Sequence, residues 1–231
     1  MSGTVGVIVL ANLRDDARAR AFAHLAFGRF VLPRVNGLTF GKVLGSGRDA
    51  GFLPNPSWTH QGLFCAFDDE AGADAFLGSK SVILEGYRAY AREMFTAKLR
   101  AYACKGTWSG VAPLAITASR PDGPIASLTR ASIKPTKARA FWRHAAPSQA
   151  DFQAIEGCRL SAGLGEMPLI RQATFTIWDS ERAMERYARS GAHLAAIRDA
   201  HQGQFFSESL FARFVPTQMT GTWGGRPFGL G

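Results

Sequence analysis

The chain has 231 residues, 46% of them hydrophobic and 19% charged, which describes a globular protein large enough to bury a core and excludes a disordered one. The longest apolar runs fall short of the roughly 18 residues needed to span a bilayer, and the first ten residues lack the basic region of a secretory signal. Net charge is +9 and the pI is near 10, yet lysine and arginine are dispersed without a basic-aromatic block. That distribution argues against nucleic acid and favours an anionic membrane surface or an acidic protein partner. Three cysteines (Cys65, Cys104 and Cys158) without metal spacing fit a reduced, cytoplasmic compartment.

In chain order, the β-branched run at residues 5–10 predicts a strand. Asp15 and Asp16 offer caps for a helix whose Phe22, Leu25, Ala26 and Phe30 form an apolar stripe expected to face the core. Residues 38–43 predict a second strand ended by a Gly45-Ser46-Gly47 turn, and residues 62–67 a third. Asp68 is expected to cap a helix burying Phe76, and residues 99–104 a fourth strand before Gly106-Thr107-Trp108-Ser109-Gly110. After a linker at 113–124 the plan returns. Residues 125–133 predict a strand, and Pro135 suits a helical first turn before Phe141 and Trp142. Residues 158–164 and 171–178 predict strands about a Gly165-Glu166-Met167-Pro168 turn, and Asp179 a cap for a helix presenting Ala183, Met184 and Tyr187. A further helical stretch holds His193, and residues 211–215 close the pattern.

The two halves share sequence as well as plan. Ala19-Arg20-Ala21-Phe22 recurs at Ala138-Arg139-Ala140-Phe141, Leu44-Gly45 at Leu164-Gly165, Phe67-Asp68 at Trp178-Asp179, and the GTWSG segment as Gly221-Thr222-Trp223-Gly224-Gly225. Each half reads β-α-β-β-α-β, a ferredoxin-like unit. A lone unit leaves one sheet face uncovered, so two are expected to cover each other as a dimeric α+β barrel-like pair within one chain. The expected division is 1–118 and 119–231, with the second unit binding the cofactor. The glycine-flanked tryptophans read as tight turns closing the core, and Arg226-Pro227-Phe228 as a pocket cover or a tail.

Chemistry is expected where the halves differ. His193 shares a helical face with Ile197 and Ala200, while its first-half counterpart, 111 residues earlier, is Val82. A histidine added to one apolar face suits a heme iron ligand, although a core histidine bonded to backbone fits the same pattern. His201 falls about 80° off that face. His24 and His144 lie on the first helix of each half and His60 in a loop. Nucleotide-binding, zinc and serine-hydrolase motifs are lacking.

The run from Gly165-Glu166-Met167-Pro168 to Trp178-Asp179, with Met184-Glu185, Ala192-His193, Ala196-Ile197-Arg198, Glu208-Ser209-Leu210-Phe211-Ala212-Arg213-Phe214 and the Gly221–Arg226 stretch, resembles the spheroidene monooxygenase family of carotenoid ketolases. The first half is similar in outline through Lys42-Val43-Leu44-Gly45-Ser46-Gly47 and Trp108-Ser109-Gly110. The resemblance implies a heme b monooxygenase that oxidises acyclic carotenoids such as spheroidene at C-2, using dioxygen and reduced ferredoxin. It implies His193 as the axial ligand and marks no other catalytic side chain; His201, which the resemblance does not match, is the fallback ligand. It also implies a lipophilic substrate and a cytoplasmic protein able to lie against the inner membrane, with self-association open. The rival expectations are a same-fold monooxygenase acting on an aromatic substrate or on heme, and a heme- or carotenoid-binding module without catalysis.

Overall fold

The computed structural model describes residues 3–47, 56–145, 155–167, 169–189 and 204–230. The first half runs β1 (Val5–Leu13), α1 (Arg18–Val31), β2 (Leu38–Gly47), β3 (Pro56–Phe67), α2 (Glu70–Gly78), α3 (Val82–Tyr90) and β4 (Ala91–Gly106). The second runs β5 (Ile125–Ile133), α4 (Ala138–Ala145), β6 (Cys158–Met167), β7 (Arg171–Trp178), α5 (Glu181–Ala188), β8 (Phe206–Trp223) and β9 (Arg226–Leu230).

All pairings are antiparallel, in the order β4-β1-β3-β2-β6-β7-β5-β8, and β8 pairs back onto β4. Eight strands therefore close into a barrel, which removes the sheet edges that two open sheets would expose. The seams are unequal. One is long, from Phe95↔Gly221 to Gly106↔Leu210, and the other is only Gly45↔Gly165 and Ser46↔Leu164. Glycines make the long seam possible: a Cβ on Gly106 would sit 2.1 Å from the Ser209 carbonyl oxygen, and one on Gly221 1.9 Å from that of Met94. Both have left-handed φ, 95° and 100°.

The barrel interior is one core drawn from both halves, built around Phe64, Phe95, Phe175, Phe214 and Trp108. The alternation along β1 shows how: Ile8 and Leu10 point inward, while Val7, Val9 and Ala11 point outward under the helices. Trp108 stacks on Phe64 with ring centroids 5.5 Å apart, and Trp223 is buried and donates to the Ser161 carbonyl. The two GTWxG segments are thus structural turns whose indoles enter the barrel. Arg226-Pro227-Phe228 is neither a loose tail nor a cover. It opens β9, pairing with β8 and setting Phe228 edge-on to Phe95.

Several local expectations need correction. Arg14 precedes a short 3-10 turn over Asp15–Ala17 with no side-chain cap, because Asp15 is engaged by Arg18 and Arg92. The caps elsewhere sit one residue later than read: Asp69 accepts from Gly72 N–H, and Ser180 from Ala183 N–H. Gly45-Ser46-Gly47 and Gly165-Glu166-Met167 continue β2 and β6: the short seam pairs Gly45 with Gly165 and Ser46 with Leu164, while Gly47 pairs with Pro56 and Met167 with Arg171. Helix α3 lies in a stretch where no helix was expected.

The largest correction concerns α1. It buries Ala21 and Gly28, and a Cβ on Gly28 would meet Val43 Cγ2 at 2.7 Å, so small residues bring the helix onto the sheet. Phe22 and Phe30 are instead 60% and 57% exposed. Its counterpart α4 behaves differently: Phe141 packs edge-on to Phe205 and Phe206, and Trp142 donates to the Leu169 carbonyl at 2.9 Å.

Candidate functional site

Strand registers place Val5 opposite Phe67 and Ile125 opposite Trp178, so β1 maps onto β5 at an offset of 120 and β3 onto β7 at 111. The 3-10 turns before α1 and α4 also stand 120 apart, so the recurring Ala-Arg-Ala-Phe, at 119, is one residue out of structural register.

On the first half's outer face, Val7, Val9, Ala11, Leu63 and Cys65 are fully buried under α1, α2 and α3. A polar pin crosses this layer. Gln61 donates to the Ala21 carbonyl at 2.6 Å and accepts from the Tyr87 hydroxyl at 3.2 Å. His24 meets the Tyr87 ring edge-on at 5.2 Å, and its Nδ1 is buried without a partner. Burial, then the charge of Arg20, lowers its pKa and keeps the ring neutral. Burial also drives the Tyr87 hydroxyl upward and the Cys65 thiol to about 12, so neither ionises near neutrality. This face is a sealed core.

The second half presents a different floor. Ser127, Thr129 and Ala131 replace Val7, Val9 and Ala11, Thr174 replaces Leu63 and Thr176 replaces Cys65. Ser127, Thr129, Ala131 and Thr174 are only half-buried, and among the described residues the buried outer core is Ile125, Cys158, Trp178, Ala183 and Met184. Gln172 stands where Gln61 does, but among the described residues its amide donates to the Met167 carbonyl, at 3.3 Å, rather than to a covering helix. Small side chains, several bearing hydroxyls, form a shelf where the first half has bulk.

His193 and His201 lie outside the described residues. Val82, the counterpart of His193, opens α3, the helix whose Ile83, Leu84 and Tyr87 cover the first floor. In the sequence His193 stands 111 residues after Val82. His60 is bonded to Ser57 at 2.9 Å and lies edge-on to Trp223, away from the shelf. The side chain of His144 lies outside the described residues. Burial raises the thiols of Cys104 and Cys158, the latter to about 11, which suits core residues rather than thiolate ligands. Among the described residues no cluster of His, Cys, Asp and Glu is arranged to hold a metal ion.

A charged group inside one end of the barrel was not anticipated. Arg130, 2% exposed, contacts Glu208 and donates to Glu166 at 3.2 Å. Glu166 also accepts from Trp108 Nε1 at 2.7 Å and faces Lys42 at 3.3 Å. Burial acts to raise the Glu208 carboxyl, but Gly110 N–H, Arg130, Thr107 and Ser109 N–H outweigh it and bring the pKa down to about 2. At the other barrel end the counterparts of Arg130, Glu166 and Lys42 are Leu10, Ser46 and Ala162. Glu208 keeps an acidic counterpart, Glu93, which accepts from Gly225 N–H as Glu208 does from Gly110 N–H. Two cations and two anions compensate each other here, and their role is to anchor the Trp108 turn. The signal lay in the sequence: Arg130 and Glu208 keep the inward parity of Leu128 and Leu210.

An antiparallel α+β barrel with one sealed outer face and one half-buried floor of small side chains defines the class. Comparison with solved structures agrees at the level of fold. Aldoxime dehydratase in complex with butyraldoxime superposes with a TM-score of 0.61 at 10% identity, over 92% of this chain and 79% of that one. No family model matches the chain. Among curated proteins it is 45% identical over 227 residues to the spheroidene monooxygenase of Rubrivivax gelatinosus, spanning 98% of this chain and 88% of that protein. It is 37% identical over 198 residues to that of Rhodobacter capsulatus, spanning 84% and 80%. The chain belongs to the spheroidene monooxygenase family, and is an oxidoreductase of the monooxygenase class.

Proposed function

We propose that this chain is a heme b-dependent monooxygenase that converts the C-2 methylene of acyclic, spheroidene-like carotenoids to a ketone, using dioxygen and reduced ferredoxin. Kinship over 98% of the chain carries the reading, and the half-buried floor of small side chains on the second half supports it. We further infer that the barrel arose from two tandem ferredoxin-like repeats, 1–118 and 119–231. The orders β4-β1-β3-β2 and β8-β5-β7-β6, the shared offsets and the paired glycine seams support this.

The shelf residues fit a flat, largely apolar ring system. Ser127 and Thr174 leave depth where Val7 and Leu63 would fill it, and hydroxyls, Thr129 included, tolerate both apolar and polar neighbours. His193 would hold the iron, with His201 as the alternative. When bound, heme supplies dioxygen activation and accepts electrons one at a time. The chain's own work is to fix that group, to keep water from it and to present one end of the polyene. Trp178 and Ile125 seal the strand end beside the shelf. Each of two hydroxylations at C-2 consumes one dioxygen, two electrons and two protons and releases one water. The resulting geminal diol loses another water to leave the ketone. The +9 charge favours encounter with an acidic ferredoxin and contact with an anionic membrane surface. The protein would work in the cytoplasm beside that membrane.

The test is conversion of micelle-dissolved spheroidene by purified protein with heme, reduced ferredoxin and ¹⁸O-labelled dioxygen. The reading expects a ketone that carries label under anhydrous quench and no product without ferredoxin. Turnover with heme withheld would move the chain to a cofactor-free chemistry on the same fold, and bound pigment without product to a carrier.

A further inference from the structure

Helix α1 carries a surface that the barrel does not use. Phe22, Phe27 and Phe30 are 60%, 62% and 57% exposed on a helix whose buried contacts come from Ala21 and Gly28. At 100° per residue the three phenylalanines, with alanines between them, occupy one arc of about 140° whose centre lies about 180° from Ala21 and Gly28. Arg18 and Arg29 stand at one border of the arc and Arg20 at the other, all exposed. The guanidinium of Arg29 lies 4.6 Å from the Phe30 ring centroid, and that of Arg20 4.5 Å from that of Tyr90, so both stems run along aromatic surface. Residues 17–37 contain four arginines and no aspartate or glutamate.

We propose that α1 is the element that docks this protein on an anionic lipid bilayer, lying in the plane of the interface with Phe22, Phe27 and Phe30 inserted and the arginines at headgroup level. A convex apolar ridge bordered by cations on both sides is the shape of an interfacial helix. Anionic headgroups answer the arginines, and the acyl boundary answers the rings. A second copy of the chain fits poorly, because pairing two such ridges sets arginine borders together, and the adjoining Asp15 is already engaged by Arg18 and Arg92 of its own chain. An acidic protein would need a groove matching a ridge three phenylalanines long. This inference deepens the proposed function by naming the surface at which a lipophilic substrate would be met. It rests on α1 alone, so it can fail or stand apart from heme and carotenoid.

The experiment is co-sedimentation of the full chain with vesicles of phosphatidylglycerol and phosphatidylcholine, against vesicles of phosphatidylcholine alone. The parent is expected to bind the anionic vesicles preferentially. Phe22→Ser with Phe30→Ser should weaken that binding by roughly tenfold or more, since two exposed rings lose their apolar burial. Arg20→Gln with Arg29→Gln should remove most of the preference for anionic lipid. Phe22→Trp, which preserves the fold, should shift its emission to the blue on vesicles and be quenched by brominated acyl chains. Equal vesicle binding by parent and both double variants, or a tryptophan at position 22 that stays in water, overturns the proposal. So does loss of self-association or of ferredoxin binding in the phenylalanine variant when the parent binds no vesicles.

Discussion

The two halves of this barrel share strand order and register but treat their outer faces in opposite ways. The first half spends its face on stability: Val7, Val9, Ala11 and Leu63 are fully buried, and Gln61 and Tyr87 pin the helices down. The second half carries smaller or hydroxyl-bearing side chains at three of these positions, Ser127, Thr129 and Thr174, keeps an alanine at Ala131, and leaves all four half-buried. Because both barrel seams tie the halves into one interior core, one half can stabilise the fold while the other gives up packing on its outer face. The helices invert the pattern. Helix α4 turns Phe141 and Trp142 onto the protein, whereas α1 turns its phenylalanines outward.

The largest effect expected is at the charged barrel end, which has no charged arginine counterpart at the other. Arg130→Leu leaves Glu166 and Glu208 without their buried cation and should cost about 3–5 kcal/mol in urea unfolding. Adding Glu166→Gln and Glu208→Gln should recover part of it. A loss well under 1 kcal/mol for Arg130→Leu, on that scale of about 3–5 kcal/mol, would mean the group is solvated and does not anchor the Trp108 turn.

The outer faces come next. Leu63→Ala should cost about 2–5 kcal/mol, while Thr174→Ala at the matching position stays within about 1 kcal/mol. Equal losses would erase the distinction between a sealed face and an open one. Thr174→Trp sharpens it from the other side: filling the shelf should lower heme affinity at least roughly tenfold and leave the urea midpoint almost unchanged.

A pH effect follows at the barrel end. Because the Glu208 carboxyl is lowered from 4.5 to about 2 in the folded protein, its stabilisation is complete above the unfolded value and is lost as pH falls from there toward 2. Acid unfolding of Glu208→Gln should therefore show a shallower slope over that window than the parent does. The smallest effect is at α1, where Phe22→Ser should change stability by no more than about 0.5 kcal/mol, since the ring is already in water.

Much of this was legible in the sequence. The strands announced themselves through β-branched runs, and the doubled GTWxG turns marked both ends of the barrel. The helix caps were misread by one residue because Asp68-Asp69 and Asp179-Ser180 each offer two adjacent acceptors, and only backbone geometry chooses between them. Periodicity found the α1 stripe but assigned it the wrong side. Hydrophobic spacing identifies a face without saying what covers it, and Gly28 lies closer to Val43 of β2 than a larger side chain allows. The shelf was invisible for a related reason: serine and threonine on a strand look like ordinary solvent-facing alternation until their counterparts are seen to be a core. The barrel-end charges were readable by strand parity and were passed over because each residue alone resembles surface.

The central claim is that the second half holds heme through His193. The direct measurement is the visible spectrum and heme stoichiometry of the purified, heme-supplemented protein beside His193→Ala and His201→Ala. The account predicts one heme per chain with a Soret band that collapses or shifts in His193→Ala and persists in His201→Ala. Identical spectra in the parent and His193→Ala, or a parent that takes up no heme, would contradict it.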